Sequence, residues 1–78
     1  MQVDGTHRVD SEVQPGDLMV VDRSLEAKDG SLVVAAIDGE LAVLRVQRVN
    51  HQIGPDPDRW NPSTFEVWGV VTTLIRSV

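Results

Sequence analysis

Cysteine is missing from these 78 residues, and lysine occurs once, as Lys28. Without cysteine there is no disulfide framework, no thiolate metal site and no cysteine nucleophile, which makes a cytoplasmic protein the default expectation. No apolar run approaches the length that spans a bilayer, and no charged-then-apolar leader opens the chain, so no membrane association is expected. Basic residues are scarce, 7 against 12 acidic ones, for a net charge of −5. Duplex contact rests on Lys and Arg neutralising phosphates, so no direct DNA binding is expected. The length allows a single domain, residues 1–78, with a modest core. Oligomerisation is the usual way for so small a chain to add buried area.

What is abundant is valine, fourteen residues against nine leucine and isoleucine together. Valine loses rotamer freedom in a helix and packs well on a pleated surface, which points to strands. Pro15-Gly16, Asp29-Gly30, Asp38-Gly39 and Gly54-Pro55 cut the chain into segments too short for many helices. The spacing predicts strands over Leu18 to Asp22, Ser31 to Ile37, Glu40 to Val49 and Phe65 to Arg76, with a further short one over Met1 to Asp4. Asp38-Gly39 is a strong hairpin signal, because both residues tolerate the positive φ of a type I′ turn. Asp22 to Gly30 is polar and permits a single helical turn at most. Asn50 to Thr64 holds three prolines and reads as an irregular loop anchored by Trp60. The expected class is all-β, a small coiled or barrel-like sheet rather than a sandwich.

The last strand is apolar on both faces. Phe65, Val67, Val71 and Ile75 alternate with Trp68, Val70 and Leu74. Two readings fit: a central strand covered on both sides, or a strand whose face or edge meets a second subunit.

The residues alone show no catalytic group. His7 and His51 match no metal-ligand spacing, and the eight aspartates sit mostly in turn positions beside glycine or proline. No glycine-rich phosphate loop is present, so no cofactor and no metal is expected. His7 has Asp10 and Ser11 near it in sequence, but catalytic triads are assembled from separate loops and adjacency does not build one.

Three ordered blocks carry a resemblance. They are VDGTHRVDSEVQPGDLMVVDRS (Val3 to Ser24), DGSLVVAAIDGELAVLRV (Asp29 to Val46), and GPDPDRWNP followed by VWGVVTTLIR (Gly54 to Pro62, Val67 to Arg76). Together they resemble the carboxy-terminal domain of the LexA/UmuD family, self-cleaving proteins of the bacterial SOS response grouped as peptidase S24. The resemblance implies an all-β fold of the signal-peptidase-like type and, in active members, a Ser-Lys dyad. There a serine attacks a peptide bond in the protein's own amino-terminal arm, and a lysine kept neutral by apolar surroundings takes the proton.

Position by position, the family serine falls on His7, in Gly5-Thr6-His7-Arg8, and the family lysine falls on Leu44, in Val43-Leu44-Arg45. Both dyad partners are therefore replaced. Thr6 precedes the nucleophile position and would point to the other face of an extended chain. Arg45 cannot act as the base because guanidinium does not deprotonate in proteins. Lys28 lies in an exposed-looking turn whose carboxylates favour its charged form. Only six residues precede His7 and no Ala-Gly occurs, so neither a cleavable arm nor a preceding DNA-reading domain is expected within this chain.

By resemblance, the expectation is a non-enzymatic UmuD-like dimerisation module that is an accessory to a translesion (Y-family) polymerase. The alternative is a remnant or regulator of a LexA-like or phage-type repressor that acts by dimerisation. The implied partners are a second copy or a related chain, a Y-family polymerase subunit, or a RecA filament. The implied dimer interface is Phe65, Val67, Trp68, Val70, Val71, Leu74 and Ile75.

Overall fold

A computed structural model describes the backbone of Arg8–Val9 and residues 13–76 in full. His7 and the strand expected over Met1 to Asp4 lie outside the described residues. The described elements are all strands: β1 (Arg8–Val9), β2 (Leu18–Asp22), β3 (Leu32–Ile37), β4 (Glu40–Arg45), β5 (Gln47–Val49), β6 (Gln52–Gly54) and β7 (Phe65–Ile75). No helix occurs among the described residues, and the class is all-β as the valine content predicts.

Turn chemistry fixes each entry. Pro15 and Gly16 take the two central positions of a turn closed by the Asp17 amide donating to the Gln14 carbonyl (3.1 Å), and Gly16 supplies φ 93°. Proline pre-sets its own φ and only glycine enters the left-handed region without strain, so β2 starts where Pro-Gly ends. Asp38 (φ 50°) and Gly39 (φ 84°) form the two-residue turn between β3 and β4.

The strand expected over Glu40 to Val49 is broken instead at Val46. There β4 leaves the main sheet, and β5 turns to pair with β6 through Asn50 (φ 51°) and His51 (φ 69°). The hairpin was hidden because this turn carries no glycine. Asn enters the left-handed region readily, while histidine is a rarer occupant.

Five strands form one sheet in the order β1-β4-β3-β7-β2, and β5-β6 make a separate pair. β1 runs parallel to β4, while the other neighbours are antiparallel. β3 is buried along nearly its whole length because both its faces are covered. Val33, Ala35 and Ile37 join Ala42, Leu44 and Val46 in one core, closed by Ile53 of β6 and Trp60. Leu32 and Val34 join Val13, Met19 and Val43 in the other. This is why LVVAAI reads as a continuous apolar run rather than an alternating one.

β7 is an interior strand that supplies both cores: Phe65, Val67 and Val70 pack on the first, Val71 and Leu74 on the second. Its face assignment changes along its length because two register shifts interrupt it. One is opposite Val34/Ala35, where Trp68 is the extra residue, and the other opposite Val20/Val21, where Thr72 is. Such bulges add local twist and re-aim side chains.

Candidate functional site

The parallel pairing of β1 with β4 aligns Arg8 with Ala42 and Val9 with Val43. The backbone that directly follows position 7 therefore runs beside the strand carrying position 44. These are the two places where the family resemblance sets its serine and lysine.

Leu44 is wholly buried, at 0 % exposure, opposite Val33 on β3 and among Val46, Ile53 and Trp60. An amine held there would be driven toward its neutral form by lost solvation, which is the environment a dyad lysine requires. The side chain present is instead a hydrocarbon that completes the core, and burying a leucine contributes on the order of 2 kcal/mol. Arg45 is exposed, and its Nη1 donates to the Gly30 carbonyl at 2.6 Å, which ties the end of β4 to the Asp29-Gly30 turn. Lys28 is exposed in that same turn, where its amide donates to Ser31 Oγ (2.9 Å).

The carboxylates serve the backbone. Asp38 Oδ1 accepts the amides of Ser63 (2.8 Å) and Thr64 (2.9 Å), so the β3-β4 turn holds the chain that enters β7. Asp29 accepts the Arg48 amide and Asp56 accepts that of Asp58. Asp22 accepts both the hydroxyl and the amide of Ser24, and these bonds hold its carboxyl below the ordinary value. Among the described residues no group of three or more His, Asp or Glu side chains is placed to hold a metal ion. His51 is exposed at the tip of the β5-β6 turn.

Of the seven β7 residues named from the resemblance, five are engaged in the two cores, and Trp68 and Ile75 are half exposed. Two features went unread in the sequence. One is a cleft of about 290 Å³ lined by Asp29, Arg45, Gln47, Asp56, Arg59 and Trp60, drawn from three separate segments with no common spacing. The other is the half exposure of Leu18 and Val20 on β2, at the end of the sheet. The uniformly apolar run LMVV carries no signal for it, although Met19 is buried between them.

Comparison with known proteins bears on the family resemblance. Residues 3–70 match the family described as Peptidase S24-like. The chain is 39 % identical over 83 residues to Protein MucA of Salmonella typhimurium, covering 92 % of this chain and 55 % of that protein. It is 33 % identical over 85 residues to the LexA repressor of Bordetella pertussis, covering 99 % of this chain and 39 % of the repressor. With LexA repressor 1 of Xanthomonas oryzae pv. oryzae the identity is 43 % over 53 residues, 68 % of this chain and 26 % of the repressor. The chain thus spans between about a quarter and just over half of the length of these relatives.

Proposed function

Because the chain belongs to the Peptidase S24-like family, we propose that it is a catalytically inactive, UmuD/LexA-like dimerisation module. Its setting is the bacterial SOS response, where it acts in the cytoplasm as an accessory to a Y-family translesion polymerase. The observation that carries the reading is Leu44, wholly buried at the position of the family's lysine. No side chain on β4 or the turn beside it replaces the lost base: Arg45 stays charged, and Lys28 stands exposed in the turn. His7 occupies the nucleophile's position in the sequence, with no dyad lysine to take a proton from it.

The accessory role is favoured by the match to MucA across 92 % of this chain. A second reading, a regulator derived from a LexA-like repressor, is favoured by the match to the Bordetella LexA repressor across 99 % of it. Both need association with a second copy or a related chain, and the first adds a polymerase subunit or a RecA filament. Affinity capture from DNA-damaged cells separates them. Recovery of a Y-family polymerase subunit supports the first reading, and recovery of a helix-turn-helix repressor without polymerase supports the second.

A further inference from the structure

A groove of about 310 Å³ lies between the β5-β6 hairpin and the loop that follows it. β6 contributes Ile53 and Gly54 to it, and the loop contributes Pro55, Pro57, Trp60 and Pro62. Charged residues make up 24 % of the chain, yet not one lines this groove, so it selects an uncharged occupant. None of the β7 residues assigned to the dimer lines it either.

The loop is held in place before anything binds. The Asp56 carbonyl accepts the amides of Arg59 (3.1 Å) and Trp60 (2.8 Å), and its carboxylate accepts that of Asp58 (2.9 Å). Past Pro62, Asp38 Oδ1 fixes the amides of Ser63 and Thr64. A preformed wall spares a ligand the cost of ordering it.

Backbone direction on β6 follows from its register. Ile53 faces Arg48, whose amide donates away from β6, to Asp29 Oδ1 at 2.9 Å. The two are thus a non-hydrogen-bonded pair, and the Ile53 amide and carbonyl leave β6 on the side away from β5. Among the described residues neither group has a hydrogen-bond partner. The same holds for the side-chain amides of Asn50, Gln52 and Asn61, which also line the groove.

These amides can donate where the three prolines, lacking an N–H, cannot. They suit a backbone whose carbonyls are unpaired. A polyproline II segment has no internal hydrogen bonds, and its prolines dock against aromatic-lined grooves with little freedom left to lose.

We propose that this groove binds a short, uncharged, proline-rich peptide segment of a partner protein in the polyproline II conformation. The Ile53 amide and the three side-chain amides donate to its carbonyls. One non-proline residue in the segment returns an N–H to the Ile53 carbonyl, and proline rings lie against Trp60 and the loop. The inference goes beyond dimerisation and does not depend on it.

The test uses the whole chain with Trp68→Phe, which leaves Trp60 as the one tryptophan. The probe is the capped peptide acetyl-Pro-Pro-Ala-Pro-Pro-amide, followed by Trp60 fluorescence. A saturable shift is expected, and Asn61→Ala and Gln52→Ala each weaken binding about five- to tenfold. Leu25→Ala, exposed outside the groove, binds as before. The peptide with glycine in place of proline binds about tenfold more weakly, because more of its freedom is lost. Added salt leaves the affinity unchanged, as an uncharged contact requires. No shift at millimolar peptide, a shift indifferent to both amide variants, or equal binding of the glycine peptide overturns the proposal. A Trp60 shift that follows protein concentration alone assigns the groove to a second copy and overturns it too.

Discussion

Asp17, 2 % exposed, holds Arg76 across 59 residues of sequence, with Nε and Nη2 each 3.4 Å from a carboxylate oxygen. The same carboxylate accepts the Gln14 amide at 3.0 Å. One side chain thus joins the turn that starts β2 to the residue that follows β7.

This junction makes stability pH-dependent. The Gln14 hydrogen bond, opposed by burial and reinforced by Arg76, holds the Asp17 carboxyl below its ordinary value of 3.8. A folded-state value below the unfolded one adds stability that is complete above the unfolded value and is lost as pH falls through the folded one. Asp17→Asn is expected to lower the urea midpoint at pH 7, with the gap from wild type narrowing toward pH 2. Arg76→Ala is expected to cost less, because its guanidinium is half exposed and screened by water.

Leu44→Ala removes a side chain with no exposure and leaves a cavity between β4, β3 and Trp60. A loss of about 2–5 kcal/mol is expected by urea denaturation. Leu44→Lys is expected to unfold more readily at neutral pH and to recover as pH rises. Burial lowers the introduced amine's folded pKa, so the unfolded chain binds the extra proton.

Gly69 is fixed by the close approach of β2. A Cβ there would lie 2.5 Å from Val21 Cγ1, 3.3 Å from Arg23 Cγ and 3.4 Å from the Asp22 carbonyl oxygen. Gly69→Ala should cost about 1–3 kcal/mol through overpacking. Val21→Ala in the same chain should return part of that loss, which a double-mutant cycle measures.

Asp38 combines a left-handed backbone with two accepted amides. Asp38→Ala loses both and is expected to cost about 1–2 kcal/mol. Asp38→Asn keeps an acceptor and tolerates the same φ, so its thermal midpoint should fall less.

The local parts of this fold were legible. LMVVD gave β2 with both its ends, and Asp38-Gly39 gave the hairpin, because proline and glycine encode φ directly. The expected strand starting at Phe65 begins there too and stops one residue short of Arg76. Partners far apart in sequence were not legible: nothing in FEVWGVVTTLI says that it lies between β3 and β2, or that Trp68 and Thr72 are extra residues in the ladder. The site was legible only through resemblance. No spacing marks Leu44 as special, and the structure adds what surrounds it, Val33, Val46, Ile53 and Trp60.

The central claim is that this member of the family dimerises without cutting. The most direct measurement incubates the purified chain at alkaline pH, alone and with a family member that carries a cleavable arm and lacks its own dyad lysine. Intact-mass spectrometry then follows both chains. The account predicts that both masses stay unchanged; a cut in either chain that disappears in His7→Ala would contradict it.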